Sequence, residues 1–310
     1  MIKNSKYNLI TILGPTASGK TGLAAQVASR VKGEIISGDS RQVYRNMDIG
    51  TGKDYKDYTV DGIEIPAHLI DIEQPGHHYN VYRFQSDFFQ VFQDIRERGK
   101  FPILCGGSGL YIESVLKDYQ LIHVPPNKEL RKDLENKSLE ELTDLLKSLK
   151  PDLHNTTDME TIRRAVRAIE IEKYTRNHPE LKFSFPDIKS LTIGVSLDRD
   201  SRRERITQRL KQRLEEGMIE EVQRLLHSGL TPQQLIYYGL EYKYVTLHLT
   251  GQLTFQEMFG KLETAIHQFS KRQMTWFRGM EKRGTQIFWI DGSLAFSEKI
   301  EKILERFHQP

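Results

Sequence analysis

The stretch GPTASGKT, residues 14–21, constrains the fold more than any other part of this chain. It matches the phosphate-loop pattern G-x-x-x-x-G-K-S/T at every fixed position. Asn8–Leu13 before the stretch predicts a short buried strand, and Leu23–Ala28 after it predicts the first turns of a helix. In this setting, glycines let the backbone approach a phosphate, and the loop amides face anionic oxygens. The motif therefore predicts a polyphosphate site, but it does not say which polyphosphate binds.

The first third of the chain alternates strand, polar turn and helix. Further strands are predicted at 34–37, 67–71 and 102–105, with an amphipathic helix at 81–98. This order indicates an α/β fold in which helices flank a parallel sheet, as in P-loop NTPase-like cores. Ligands in such sheets bind beyond the carboxyl ends of the strands, where the phosphate loop and the turns at 38–44 and 106–109 lie.

The composition changes near Pro125-Pro126, and we expect a helical insertion domain at 123–189 within a core formed by 1–122 and 190–310. The core resumes with a strand at 191–197, followed by a long helix from about 202 to 226. Helical patterns then continue to about 281, with interruptions near Gly229, Gly239 and Gly251. A last strand is predicted at 286–290, and Ser293 is predicted to cap a last helix.

The 310 residues carry a net charge of only +3, so any nucleic-acid surface must come from local clusters of basic residues. The single cysteine, Cys105, cannot form an internal disulfide, which fits a reducing cytoplasm. No apolar run is long enough to cross a bilayer, and residues 1–6 contain no apolar signal region. We expect a cytoplasmic protein without membrane association.

Asp39 is the first candidate for chemistry outside the phosphate loop, because it follows a buried strand at the same sheet edge as Lys20. It could hold Mg²⁺ as a Walker-B-like carboxylate, act as a general base, or simply close an Asx turn. The neighbouring Ser40, Arg41 and Gln42 favour contact with a substrate, since so many polar side chains in one turn suit recognition of a base.

Three clusters of basic residues follow along the chain. The long helix carries Arg202, Arg205, Arg209 and Arg213 on one face, with Ile206, Leu210 and Leu214 predicted to pack inward. The other two clusters are Arg163, Arg164 and Arg167, and the segment Lys271–Arg278 with its interleaved aromatics. Each could be a solvated face, but basic groups beside aromatic rings also suit an RNA backbone with an unstacked base.

Six motifs are spread in order over nearly the whole chain: 14–21, ISGDSRQVY at 36–44, MDIGTGK at 47–53, GGSGLY at 106–111, RAIE at 167–170 and KRQMTWFR at 271–278. Together they resemble the tRNA dimethylallyltransferases, also called tRNA isopentenyltransferases. The turn at 39–44 and the segment at 271–277 are specific to that family, whereas a phosphate loop alone is not.

The resemblance implies transfer of a dimethylallyl group from dimethylallyl diphosphate to N6 of adenosine 37 in tRNA. Asp39 would accept the N6 proton, Lys20 and Arg209 would act on the diphosphate, and Thr21 would bind Mg²⁺. The implied diphosphate-binding residues are Gly14, Pro15, Thr16, Ala17, Ser18, Gly19, Lys20, Thr21 and Arg209. The implied tRNA-binding residues are Asp39, Ser40, Arg41, Gln42, Ser108, Arg131, Arg164, Arg167, Lys271 and Arg272.

Three other functions remain open on the sequence. An adenylate isopentenyltransferase would act on a free nucleotide, but a free nucleotide needs no extended positive surface. A P-loop kinase or NTPase would bind ATP and use Asp39 to hold Mg²⁺. A non-catalytic RNA-binding protein would keep the loop as a remnant. We expect the tRNA-modifying enzyme, acting as a monomer.

Overall fold

The computed structural model describes residues 5–150, 159–181 and 185–309. The chain divides into two compact units, one formed by Met1–Tyr119 with Pro186–Pro310 and the other by Gln120–Phe185. The second unit begins and ends a few residues before the predicted insertion, 123–189. Part of the predicted helical stretch, 151–158, lies outside the described residues.

Six parallel strands form the sheet of the larger unit, which confirms the predicted parallel α/β fold. Its strands are β1 Leu9–Leu13, β2 Gly33–Ser37, β5 Ala67–His68, β6 Phe101–Gly106, β7 Ser190–Ser196 and β8 Phe288–Asp291. They lie in the order β5-β2-β6-β1-β7-β8, and every neighbouring pair is parallel. A separate antiparallel pair consists of β3 Thr59–Val60 and β4 Ile63–Glu64.

The central strand β1 is buried along its whole length, because apolar side chains cover both of its faces. Ile12 of this strand pairs with Cys105 of β6 and with Ile193 of β7. The carboxyl ends of β1, β2 and β6 therefore meet at one edge, and the chain continues from them into 14–19, 38–44 and 107–108. Three predicted site segments are brought together in this way.

Helices cover this sheet and complete the larger unit. They are α1 Lys20–Val31, α2 Val81–Glu97, α3 Gly109–Leu116, α7 Arg199–Glu215, α8 Met218–His227, α9 Pro232–Tyr237, α10 Leu240–Leu249, α11 Phe255–Lys282 and α12 Phe296–His308. The predicted apolar face of α2 is buried at Phe84, Phe88, Phe92 and Ile95. No helix in the described part of the chain is both long and apolar enough to span a membrane.

Four local expectations were wrong. The predicted long helix is two helices, because Gly217 adopts φ 99° between α7 and α8. On α7, Leu214 was predicted to pack inward but is only partly buried, and Arg213, from the neighbouring basic face, is buried instead. The predicted strand 67–71 ends at His68, since Leu69 and Asp71 have positive φ. Ser293 does not cap α12; its amide and hydroxyl both donate to Asp291, and the cap residue is Ala295.

The smaller unit is helical in its described residues. Its helices are α4 Lys128–Leu134, α5 Leu139–Leu149 and α6 Ile162–Asn177. Leu134, Leu142, Leu146, Ala165 and Ile169 form its buried core. A capping box between Ser138 and Glu141 fixes the start of α5, which explains why a charged segment forms a defined helix there.

Candidate active site

The phosphate loop has the geometry that its sequence predicts. Gly19 adopts φ 77°, and Ala17 adopts φ 62°, which is an uncommon conformation for a residue with a Cβ. A Cβ at Gly14 would lie 2.7 Å from both the Ser18 hydroxyl and the Val195 carbonyl oxygen, so the close approach requires glycine. Since no side chain caps α1 at Gly19, its first amides remain available to an anion.

Three cationic side chains converge on this loop. Lys20 Nζ lies 3.3 Å from the Pro15 carbonyl oxygen, and the Arg209 guanidinium donates a hydrogen bond to the Thr16 hydroxyl. Arg213 lies one helical turn beyond Arg209 and is only 6% exposed. Its nearest carboxylate is that of Asp54, 3.8 Å away, and its Nε has no hydrogen-bond partner.

The pKa values of these cations reflect their mutual repulsion and their burial. Burial lowers the pKa of Lys20, and the charges of Arg209 and Arg213 lower it further, while Asp39 acts in the opposite direction. Burial and the neighbouring Arg213 lower the pKa of Arg209 to about 9. Neither Lys20 nor Arg209 forms an ion pair with a carboxylate among the described residues. Such under-compensated charge favours the binding of a polyanion.

Asp39 lies in the turn after β2, partly exposed, and its charge acts on Lys20 and Arg209. Its Oδ1 accepts a hydrogen bond of 2.8 Å from the Arg41 amide, so the Asx turn that the sequence left open as an alternative is formed. This turn holds only one carboxylate oxygen. The arrangement leaves Oδ2 without a hydrogen-bond partner among the described residues, in a position to accept a proton near the cationic loop.

Ser108 and Gln273 connect the turns around the site. The Ser108 hydroxyl accepts a hydrogen bond of 3.1 Å from the Ser40 amide and lies 3.3 Å from the Ser40 hydroxyl. Gln273 accepts from the Thr16 amide at 2.9 Å and donates to the Gly107 carbonyl at 3.0 Å. The sequence singles out Gln273 only as part of the segment 271–278, because a contact that bridges two distant loops does not affect local residue spacing.

Glu221, a buried residue of α8, was not predicted as a functional residue from the sequence. Its carboxylate accepts hydrogen bonds of 2.8–3.0 Å from the amides of Asp48, Ile49 and Gly50, and one of 2.7 Å from the Tyr242 hydroxyl. The loop 48–53 is thereby fixed. A side chain at Gly52 of this loop would collide with the Arg213 guanidinium, so the loop and the cationic cluster are packed together.

The predicted tRNA-binding residues differ in how many of their donors are occupied. Gln42 is buried, with its amide bonded to the Ser37 hydroxyl at 2.9 Å and to the Gly52 carbonyl at 3.0 Å. Lys271 and Arg272 are exposed on α11 and have no carboxylate partner in the described part of the chain. A contact with tRNA stays a prediction for each of them.

In the smaller unit, the arginines proposed for tRNA are held by glutamates. Arg131 forms a two-pronged ion pair with Glu170, with both contacts at 3.0 Å. Arg167 also pairs with Glu170 and donates to the Val124 carbonyl at 2.8 Å, while Arg164 pairs with Glu160. Although burial opposes it, the hydrogen bonds from Arg131, the Asn127 amide and Arg167 hold the pKa of Glu170 below its usual value.

A metal at this site would have few protein ligands. No group of three or more His, Cys, Asp or Glu side chains suited to a metal occurs among the described residues. The Thr21 hydroxyl lies in the first turn of α1 and has no hydrogen-bond partner among the described residues. A hydroxyl oxygen suits Mg²⁺, which usually takes most of its other ligands from phosphates and water.

The Cys105 thiol is buried beside the site. Burial raises its pKa to about 12, and its Sγ lies 3.7 Å from the Lys20 carbonyl oxygen.

Comparison with known proteins identifies the family. The family model described as IPP transferase matches residues 42–280. A tRNA dimethylallyltransferase 2 from Bacteroides fragilis is 59% identical over 98% of this chain and 99% of its own length. A tRNA dimethylallyltransferase 2 from Trichlorobacter lovleyi is 51% identical over 94% of this chain and 95% of its own length.

Solved structures agree with this result. The full-length tRNA isopentenylpyrophosphate transferase from Bacillus halodurans has a TM-score of 0.71 and 34% identity, covering 97% of this chain and 95% of its own. A eukaryotic dimethylallyltransferase acting on tRNA has a TM-score of 0.75 at 22% identity, with 97% and 81% covered, and shares the fold. On these matches, the chain belongs to the IPP transferase family.

Proposed function

We propose that this protein transfers a dimethylallyl group from dimethylallyl diphosphate to N6 of adenosine 37 in tRNA. One observation carries the proposal: Lys20, Arg209 and Arg213 lie around a phosphate loop, and no described carboxylate is closer to them than the 3.8 Å between Arg213 and Asp54. The Asp39 carboxylate lies within electrostatic range of Lys20 and Arg209. The cations suit a diphosphate, and the carboxylate suits a group that loses a proton. Both are needed for transfer of an allylic group to an amine.

In the reaction, a bond forms between N6 of the adenine and the allylic C1, and the bond from C1 to the diphosphate oxygen breaks. The diphosphate leaves with the electron pair. Negative charge grows on it as it departs, and Lys20, Arg209 and the amides at the start of α1 stabilise that charge. The N6 proton passes to Asp39 Oδ2, which increases electron density on an otherwise weak nucleophile.

Thr21 is the residue that would hold Mg²⁺, because its hydroxyl follows Lys20 in the first turn of α1 and is available. The ion would supply further positive charge at the leaving diphosphate. The loop residues Gly14, Pro15, Thr16, Ala17, Ser18 and Gly19 would bind the diphosphate mainly through backbone amides.

Adenosine 37 must leave its stack in the anticodon loop to reach Asp39. Unstacking a base costs a few kcal/mol, which contacts with the rest of the RNA offset. We assign such contacts to Ser40, Arg41 and Ser108 beside Asp39, to Lys271 and Arg272 on α11, and to the arginines of the smaller unit, Arg131, Arg164 and Arg167. The buried Gln42 would hold in place the turn that carries Ser40 and Arg41.

The test is incubation of the protein with labelled dimethylallyl diphosphate, Mg²⁺ and total tRNA, followed by nucleoside analysis. We expect label in N6-(dimethylallyl)adenosine at position 37. A parallel reaction supplies labelled ATP as the donor, and another supplies free AMP as the acceptor. Label transferred only from ATP, or only to AMP, would contradict the proposal and indicate a kinase or a free-nucleotide enzyme.

A further inference from the structure

An exposed tyrosine lies next to the turn that carries Asp39. Tyr237, the last residue of α9, is 39% exposed although its ring is large and apolar. The guanidinium carbon of Arg41 lies 5.1 Å from the centre of this ring. The His78 imidazole approaches the ring from another side, with centres 5.0 Å apart and planes at 86°. The three side chains form a surface cluster of two aromatic rings and one planar cation.

Buried side chains hold this cluster in place from below. The adjacent Tyr238 is buried, its hydroxyl bonds to the Gly76 amide and to the His77 carbonyl, and its ring meets that of Tyr44 at 4.6 Å. The Tyr44 hydroxyl accepts a hydrogen bond of 2.9 Å from the Tyr79 amide. Both the end of α9 and the loop that carries His78 are thus fixed, so the exposed rings are preorganised.

Arg41 brings a charge that the protein does not neutralise. Within residues 5–150, 159–181 and 185–309, the Arg41 side chain has no ion pair and no hydrogen bond; its contact is with the Tyr237 ring. All five N–H donors of the guanidinium are therefore available to a ligand. Single-stranded RNA supplies the matching chemistry, because its bases stack on aromatic rings and on arginine planes.

The position of the cluster determines which nucleotide it can serve. The Arg41 amide donates to Asp39 Oδ1, so the arginine and the carboxylate belong to one tight turn. A base whose amine reaches Asp39 would have its neighbour in the RNA strand beside Arg41. We propose that Arg41, Tyr237 and His78 form a stacking site for the nucleobase adjacent to the reacting adenosine. This inference rests on the proposed function.

The experiment is a double-mutant cycle between protein and RNA. Dissociation constants are measured for an anticodon stem-loop RNA and for two versions with an abasic nucleotide directly before or directly after the target adenosine. Each RNA is tested with the unaltered protein, Tyr237→Ala and Arg41→Ala. We expect one abasic change to weaken binding to the unaltered protein by about tenfold, which is within the range for stacking of one base.

Each variant should bind the intact RNA about tenfold more weakly than the unaltered protein does. On the RNA that lacks the stacked base, the same substitution should weaken binding by less than about twofold, because the effects of removing two groups that contact each other do not add. Tyr237→Phe should bind as the unaltered protein does, since stacking needs the ring alone. Phe255→Ala is the matched control: Phe255 is 48% exposed and meets His248 edge-on at 6.0 Å, but no arginine lies over its ring in the described structure.

Equal losses on intact and on both abasic RNAs would overturn the inference. That result would mean that Tyr237 supports the fold or that Arg41 binds a phosphate, which the abasic RNA retains. Transfer of labelled dimethylallyl to the intact stem-loop is measured separately. Transfer without coupling would overturn only the stacking site, whereas absence of both binding and transfer would overturn the proposed function as well.

Discussion

The two oxygens of the Asp39 carboxylate differ in their hydrogen bonding. Oδ1 accepts the Arg41 amide, a bond that closes the turn, and Oδ2 has no hydrogen-bond partner in the described structure. The proposed role in catalysis therefore belongs to one oxygen, and the structural role to the other. An Asn side chain keeps an oxygen that can accept the amide but cannot take up a proton, so substitution separates the two roles.

For Asp39→Asn, we expect transfer to fall by at least about 100-fold, the lower range for loss of a general base. The dissociation constant for tRNA should change by less than about threefold, because Asp39 touches one amine among many RNA contacts. Single-turnover transfer and filter binding measure the two quantities. A variant that transfers at the normal rate would show that the N6 proton goes elsewhere.

The charge of Arg209 should stabilise a bound polyanion, but it destabilises the folded protein when no ligand is bound. Its pKa is about 9 in the folded chain, below its usual value, because of burial and the charge of Arg213. Between this pKa and the higher pKa of the arginine in the unfolded chain, the unfolded chain binds more protons than the folded chain. The free energy of unfolding therefore increases with pH in this range. Below about pH 9 the folded protein carries the full cost of this buried charge.

We therefore expect Arg209→Met to raise the Tm of the free protein at pH 7 by a few degrees, since an apolar side chain removes a poorly compensated charge. The gain should shrink above about pH 9, and pyrophosphate should stabilise the unaltered protein more than the variant. Thermal unfolding with and without pyrophosphate measures both effects. Arg205→Met, at an exposed position of α7, is the control. A less stable variant that pyrophosphate stabilises as much as the unaltered protein would contradict this account.

At the level of elements, α8 contributes one residue that organises a distant loop. Glu221 accepts three backbone amides of the loop 48–53 and one hydroxyl, so its carboxylate completes a turn that has no other acceptor for those amides among the described residues. The loop in turn packs Gly52 against Arg213. Through this chain of contacts, α8 positions a cation of the site without touching a substrate.

Glu221→Ala should lower the Tm by at least about 10 °C, because four buried donors lose their charged acceptor and each hydrogen bond to a charged group contributes about 1.5–3 kcal/mol. At temperatures well below the transition, the KM for dimethylallyl diphosphate should also rise, since Arg213 is released. Glu220→Ala, at the exposed neighbouring position, should change neither value. A loss of stability without any change in KM would show that the loop does not position Arg213.

The elements near the site were predictable from sequence to different degrees. The strands β1, β2 and β6 and the phosphate loop could be predicted from local patterns of apolar residues and glycines, and the structure contains them. The break at Gly217, the short β5 and the start of α12 were not predicted. Each depends on φ values or side-chain partners, such as the Asp291 acceptor that binds Ser293, which hydrophobic periodicity does not encode.

The candidate site divides in the same way. Lys20 and Asp39 could be named because motifs fix their positions relative to strands and helices, and Arg209 could be named because the resemblance to the family implies its role. Arg213, Glu221 and Gln273 could not be assigned roles, because their importance arises from contacts between distant parts of the chain, as between Gln273 and Thr16. A buried arginine and a solvated one have the same spacing on α7, and only packing distinguishes them.

At the scale of the whole molecule, the net charge of +3 means that tRNA binding must depend on particular cations rather than on overall charge. These cations are not equivalent. Arg131 and Arg167 already bind Glu170, so an RNA phosphate would compete with a carboxylate for their donors. Lys271 and Arg272 on α11 are exposed, and no carboxylate in the described part of the chain pairs with them.

This difference predicts the salt dependence of binding. The logarithm of the tRNA association constant should fall linearly with the logarithm of salt concentration, as bound phosphates release counterions. The combined substitution Lys271→Ala and Arg272→Ala should flatten the slope by about one to two, since each phosphate that a cation neutralises adds roughly 0.7–0.9 to the slope. Arg131→Ala should flatten the slope less than the α11 double substitution does, because its guanidinium is already paired with Glu170. It should also lower the Tm, because Glu170 remains buried with fewer donors. If Arg131→Ala flattens the slope and the α11 double substitution does not, the RNA follows the paired arginines, and the assignment of the α11 surface is wrong.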